Sequence, residues 1–329
     1  HLRGGAQVGV ELVWTPYQAG AVTDGGTVPA TKDALDLLLE SALGSVKTIP
    51  GKGVASVAGA VVTLDTATHA VGDVMLLQQT GQNGGRVQAR LVTDADGAEY
   101  TLDAAPTGAL TGDAISIGHR AYRAGYSVDG PSFSGHLVED DIVYQMSGGM
   151  FLPESIGWQA GGLLTLKGTA RFNQVVYEGD APAFAPTPPT SGIIIQNPVK
   201  ASLGVCYFDD AEISGLMSMS VNFNATSRWA PGLDGAYGRV GQENLTHYGT
   251  VELVFGQASS AHRAKMLAGG HRLLRVFVDS GSIVGSPARC QGQVFALWVQ
   301  VMKPAPGNDG GKSTRNVSCK LIDPGLLGT

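Results

Sequence analysis

A chain of 329 residues with 43% hydrophobic side chains can bury a sizeable core, in one large domain or two smaller ones, and is too apolar for disorder. Its 47 glycines follow no three-residue period, which excludes collagen, and with many Val, Thr, Ser and Leu they fit short strands joined by tight turns. The net charge of −6 and the lack of a dense basic cluster argue against a protein built to grip nucleic acid; the nearest to one, His262-Arg263-Ala264-Lys265 followed by Arg272 and Arg275, reads as a solvated face.

In chain order, residues 1–30 are mixed and turn-rich. Val8–Trp14 has the composition of one strand, and the rest reads as an arm. Residues 31–44 carry the clearest helix. Leu35, Leu38, Leu39, Ala42 and Leu43 fall on one face, Thr31 is placed as N-cap, Asp33 and Asp36 suit the positive end of the dipole, and Gly44 ends it. Residues 50–119 read as a small all-β module of five strands: Val54–Leu64, Val71–Gln78, Arg86–Thr93, Glu99–Leu102 and Ala114–Ile117. Turns are marked by Gly72-Asp73, Asn83-Gly84-Gly85, Asp94–Gly97 and Thr111–Asp113. Tyr100 is the only aromatic residue in these strands, so packing is favoured over stacking on bases or sugars.

Residues 164–172 alternate strictly: Leu164, Leu166, Ala170 and Phe172 share one face, and Thr165, Lys167, Thr169 and Arg171 share the other. Residues 180–192 hold the run Ala181-Pro182-Ala183-Phe184-Ala185-Pro186-Thr187-Pro188-Pro189-Thr190, and read as an exposed loop or linker. Met217, Met219, Val221 and Phe223 alternate with Ser218, Ser220, Asn222 and Asn224, and Val251, Leu253 and Phe255 stand opposite Thr250 and Glu252. Between these strands, Trp229 to Glu243 reads as a Gly-rich loop. A second helix is expected over Ser259–Ala268, then strands near Leu273–Val278 and Val294–Met302, a polar loop Pro304–Thr314, and a last strand near Asn316–Ile322.

Motifs of catalysis are missing from this order. There is no GxSxG, HExxH or DFG-like set. Gly311-Lys312-Ser313 resembles the end of a phosphate-binding loop, but Pro306 stands where its first Gly belongs and no helix is expected to follow. The His residues lack partners at metal-ligand spacing, so surface or core roles are expected, and no cofactor is. Glu139-Asp140-Asp141 and Asp209, Asp210 and Glu212 lack the spacing of a Ca²⁺ loop and read as solvated turns. Cys206, Cys290 and Cys319, widely spaced and without a CxxC, read as buried thiols of a reducing cytoplasm. No run reaches the ~18 apolar residues of a membrane span, and nothing reads as a signal peptide; the chain begins at His1.

The order of elements then carries a resemblance. A Gly-punctuated arm and helix precede Gly125–Leu137, Tyr144–Met150 and Gly162–Gly168, and the second half repeats the theme with Ala211–Gly215, a strand to Asn224, a loop, and Tyr248–Phe255. This resembles the tail tube (major tail) proteins of tailed bacteriophages, from about residue 10 to 302. The resemblance implies a mainly β fold: a tail-tube-like β-sandwich or barrel with one or two flanking helices. Residues 1–49 would be arm and leader helix, 50–119 an inserted β-barrel module, and 120–329 the remainder of the tube domain with the Pro-rich loop 180–192.

It further implies a structural virion protein, not an enzyme, made in the host cytoplasm. Its subunits would form stacked hexameric rings around a lumen that passes double-stranded DNA. Partners would be further copies of itself and other tail proteins (terminator, tape measure, baseplate or tip), with no membrane. Ser218, Ser220, Asn222, Asn224, Thr250 and Glu252 are the expected lumen-facing residues. Phe184, Pro188, Pro189, Trp229 and Tyr237 are the expected contacts between rings. Two rival expectations are another virion β-protein (decoration or baseplate) and a carbohydrate-binding module or glycosidase. The latter would use Asp209, Asp210 or Glu212 with a cleft drawn from Trp14, Trp158, Trp229 and Trp298.

Overall fold

The computed structural model describes residues 6–13, 17–19, 34–43, 46–79, 88–108, 114–122, 131–139, 142–159, 163–180, 193–195, 205–212, 215–223, 226–230, 239–243, 249–256, 264, 267–268, 270–278, 292–302, 305–309 and 312–322. The fold is mainly β. The chain begins with β1 (Ala6–Val13), β2 (Tyr17–Ala19), helix α1 (Ala34–Leu43) and β3 (Val46–Ile49). A barrel follows, made of β4 (Lys52–Ala58), β5 (Val61–Leu64), β6 (Val74–Gln79), β7 (Gln88–Asp96), β8 (Glu99–Leu102) and β9 (Ala114–Ser116). Next come β10 (His119–Tyr122), β11 (Phe133–Glu139), β12 (Ile142–Gln159), β13 (Thr165–Phe172), β14 (Gln174–Asp180), β15 (Ile193–Ile195), β16 (Val205–Phe208) and β17 (Ala211–Glu212). The last strands are β18 (Leu216–Asn222), β19 (Thr226–Ala230), β20 (Arg239–Glu243), β21 (Thr250–Phe255), β22 (His271–Val278), β23 (Gly292–Val301), β24 (Ala305–Asp309) and β25 (Lys312–Leu321).

One large sheet runs in the order β1-β13-β12-β18-β21-β25-β23-β22-β16-β17. Its apolar face follows from period-two alternation held in register. Leu166 faces Ile156, Ile156 faces Val221, Val221 faces Val251, Val251 faces Cys319, and Cys319 faces Val301. All six are buried, and burying each of the five aliphatic side chains beside Cys319 is worth about 1.5–3 kcal/mol. Helix α1 packs Leu35, Leu39 and Ala42 into the same core, with Leu38 partly buried and Leu37 left exposed, as its 3.6-residue period requires. The Phe151 N–H donates to the Ser41 hydroxyl at 3.2 Å, which ties the helix to β12. Thr31, Asp33 and Gly44 lie outside the described residues.

β12 belongs to two neighbourhoods. Its first part runs between β11 and β14, and its second between β13 and β18. Gly148, at φ 64°, takes up the change in a conformation that other residues rarely adopt. A satellite core of Met146, Ala170 and Phe172 forms there, with Phe133 edge-on to Phe172 at 5.3 Å.

The 50–119 module is a closed barrel in the order β4-β5-β8-β7-β6-β9. It has six strands where the sequence suggested five, because Val54–Leu64 folds back on itself at Gly59 (φ 62°) as a hairpin. Val54, Val62, Leu64, Met75, Leu77, Val92, Tyr100, Leu102 and Ala114 fill its interior, so it is a packed core and not a channel. The barrel enters and leaves through a two-stranded neck. β3 pairs antiparallel with β10, and β10 lies parallel to β23.

The expected strand at Val8–Trp14 is observed as β1, which lies on β13 with Val10 and Leu12 against the core. Two segments differ from their sequence reading. The expected loop Trp229–Glu243 contains the hairpin β19–β20, since Gly-rich sequence conceals strand pairing. The expected loop Pro304–Thr314 holds β24 paired to the start of β25; β24 is an outer strand, where proline is tolerated. Of the expected second helix, the described positions 264, 267 and 268 are helical. Residues 181–192 lie outside the described residues. Among the described residues no helix is long and apolar enough to cross a membrane.

Candidate functional site

Alternation that buries one face of the large sheet must turn the flanking residues to the other. One row reads Glu11, Lys167, Ser155, Asn222, Thr250, Lys320, Gln300 and His271, each opposite the next in register. The adjacent row reads Val13, Thr165, Gly157, Ser220, Glu252 and Ser318. Every described side chain in both rows is exposed or half-buried. Ser218 continues the pattern beside Gln159.

This surface is polar and close to neutral. Glu11 and Lys167 form an ion pair at 3.1 Å, exposed and so worth little in stability. The Ser318 hydroxyl donates to Glu252 Oε1 at 2.6 Å, and Ser220 donates to Asn222 Oδ1 at 3.4 Å. The two acids and two lysines of these rows cancel. Five of the six expected lumen residues, Ser218, Ser220, Asn222, Thr250 and Glu252, therefore share one face; Asn224 lies outside the described residues. Of the expected inter-ring contacts, Trp229 sits on β19 opposite Val240, while Phe184, Pro188, Pro189 and Tyr237 lie outside the described residues.

The densest buried chemistry lies elsewhere, where the barrel meets the sheet. Tyr207 on β16 faces Arg275 on β22, and Val74, Leu76, Ala89, Ile115 and Ile117 of the barrel side pack around Tyr207. The Arg90 and Arg275 guanidiniums lie 5.0 and 5.6 Å from the Tyr207 ring centroid. Arg275 Nη1 pairs with Asp103 Oδ2 at 2.8 Å. Burial lowers the Arg275 pKa, and Asp103 opposes that shift.

Two histidines are buried at the neck. His119 Nδ1 lies 2.9 Å from the Ile117 carbonyl, and His69 Nδ1 lies 2.8 Å from the Thr68 hydroxyl. Burial pushes their pKa values down to about 4 and about 3, and both are neutral at pH 7. Burial also pushes the free Cys319 thiol up to about 12, which makes it inert.

The expected acidic turn is committed to structure. Asp209 occupies the β16–β17 turn at φ 52°; its Oδ1 accepts the Leu273 N–H at 3.1 Å and its Oδ2 lies 3.4 Å from Arg272 Nε. Trp158 lies in the core and cannot line a sugar-binding cleft. Among the described residues no group of three or more His, Cys, Asp or Glu could hold a metal ion. Tyr100 is fully buried, its hydroxyl accepting the Thr68 and His69 N–H groups at 2.8 and 3.2 Å.

Sequence reasoning missed Lys320, Gln300 and Ser318 as neighbours of the predicted face, because only strand pairing joins them to it. It also missed Arg90, Tyr207, Arg275 and Asp103, whose meeting has no local signal. No protein-family model matches the sequence, and no curated protein matches it either.

Proposed function

We propose that this chain is a structural subunit that works by self-assembly, as the tail tube protein of a tailed bacteriophage. The observation that carries the reading is the polar face of the large sheet: rows of hydroxyl and amide side chains crossing successive strands, with cancelling charges. A conduit for duplex DNA must not hold its cargo. Lysines that neutralise phosphates release counterions and bind tightly, whereas this face offers Lys167 already paired with Glu11 and otherwise mostly uncharged groups.

Assembly has a physical motive in β1. Among the described residues it pairs with β13 alone, leaving one edge of an eight-residue strand unpaired within the sheet. Such an edge invites pairing with another chain, and ring closure removes it. In this reading the subunit has no catalytic role. It forms stacked hexameric rings in the virion and contacts terminator, tape-measure and baseplate or tip proteins. A ring subunit with a heterologous interface predicts open-ended stacking.

Negative-stain microscopy of the purified chain tests the proposal. Hollow tubes or stacked sixfold rings are expected. Closed trimers or dispersed monomers over a range of concentration and salt would instead favour a decoration or baseplate protein.

A further inference from the structure

Two arginines are buried where the barrel meets the sheet, both against the Tyr207 ring, and a carboxylate reaches one of them. Arg275 on β22 is fully buried, and Arg90 on β7 is 2% exposed. Arg90 donates from Nη1 to the Ala89 carbonyl at 3.2 Å and reaches Gln88 Oε1 from Nη2 at 3.5 Å. That Gln88 oxygen already accepts the Thr107 N–H at 2.7 Å and the Thr107 hydroxyl at 3.1 Å. Arg275 places Nη1 on Asp103 Oδ2 at 2.8 Å. Asp103 Oδ1 is in turn occupied by the Leu91 N–H at 2.9 Å.

Among the described residues Arg275 has, beyond that ion pair, no hydrogen-bond partner on its guanidinium, so its side edge, the parallel Nε–H and Nη2–H, is unmatched. Arg90 Nε has no partner either. Buried polar groups are nearly always satisfied, and buried charges are paired. Among the described residues Asp103 pairs with Arg275 and no carboxylate is paired with Arg90, so the cluster carries one positive charge in excess.

We propose that this junction binds a small tetrahedral oxyanion. The Nε/Nη2 edge of a guanidinium matches two oxygens of such an anion in a bidentate fork, and Arg90, against the same Tyr207 ring, adds positive charge nearby. One added negative charge offsets the excess. Solvent reaches the cluster at Asp103, whose side chain is 17% exposed, and residues 104–108 beyond it are half-buried or exposed, which gives an entry path. Because Arg90 belongs to the barrel and Arg275 to the sheet, the anion bridges the two and fixes one on the other. The inference stands independently of tube assembly.

The test uses the full chain and inorganic phosphate. Its melting temperature is followed in phosphate and in sodium chloride of equal ionic strength. A rise that continues with the logarithm of phosphate concentration, and that chloride does not reproduce, is expected. Arg275→Lys keeps the charge and can keep Asp103, but it has no fork; its affinity for phosphate should fall roughly tenfold or more. Identical melting of the parent chain in the two salts overturns the proposal, as does an Arg275→Lys chain that responds to phosphate as the parent does. If that variant does not fold, calorimetric titration of the parent with phosphate decides alone: saturable binding supports the site, and its absence overturns it.

Discussion

The barrel and the large sheet are built from the same alternation and put it to opposite uses. In the barrel, closure pairs every strand on both sides, and the apolar face turns inward on itself around Tyr100. In the sheet, α1 packs on the apolar face, and among the described residues the polar face is exposed or half-buried and β1 has an unpaired side within the sheet. A closed barrel needs nothing further to be stable, whereas an open sheet with an uncovered strand edge invites a partner. The barrel is thus the self-sufficient part, and the sheet is the part suited to assembly.

The strongest way to break this comparison is to empty each core separately. Phe151→Ala in the sheet and Tyr100→Ala in the barrel each remove a fully buried ring, and each should cost about 3–5 kcal/mol. Chemical denaturation followed by hydrogen exchange at the barrel amides separates the two. Tyr100→Ala should raise exchange in the barrel far more than in β12, β18 and β21. Equal loss of protection in both regions would mean that they unfold as one unit and that the barrel is not self-sufficient.

The neck between them should be sensitive to acid. His69 and His119 have folded pKa values of about 3 and about 4, below the ordinary value of 6.5. Between these values the unfolded chain binds more protons, so stability is full above pH 6.5 and declines as pH falls toward the folded values. A depression of about 2.5 units corresponds to roughly 3 kcal/mol for His119. The expected result is a denaturation midpoint that drops from pH 6.5 to 4, with the drop reduced in His119→Gln. An unchanged pH profile in that variant would assign the loss to other groups.

A smaller effect is expected where β13 crosses β12. A Cβ on Gly168 would collide with the Phe151 ring and the Leu152 carbonyl, so Gly168→Ala must displace a core ring. Overpacking of this kind costs about 1–3 kcal/mol. Thermal melting should show the loss, and a double variant with Phe151→Leu should recover part of it.

How legible the two regions were in sequence differs for a physical reason. β8 was read with its observed ends, and the face pattern of residues 164–172 holds along β13, because turn residues and period-two alternation are local signals. The β4–β5 turn was missed because Gly59-Ala60 lies inside one continuous apolar run. β24 was hidden by its proline and glycine, and β19–β20 by the Gly-rich segment around it. Ser220 and Glu252 were each legible as polar positions, but only register makes them neighbours of Ser318. The Arg90–Tyr207–Arg275 cluster was illegible, since it depends on how the barrel docks and on no spacing along the chain.

The change with the smallest effect on stability bears most directly on what the sheet is for. Ser220 is half-buried on the polar face, and Ser220→Cys alters one atom at a position outside the core. Surface changes of this type stay within about 0.5 kcal/mol, so the variant should melt like the parent. Its thiol should react with both a small maleimide and a polyethylene-glycol maleimide in the dispersed subunit, measured against the parent chain as background. After assembly, a lumen-facing thiol should still react with the small reagent through the tube ends while the large one is excluded. Equal reaction with both reagents on assembled tubes would put this face on the outer wall. The apolar face is already occupied by α1, so the lumen would then need a lining other than either face of this sheet, and the tube reading would lose the observation that carries it.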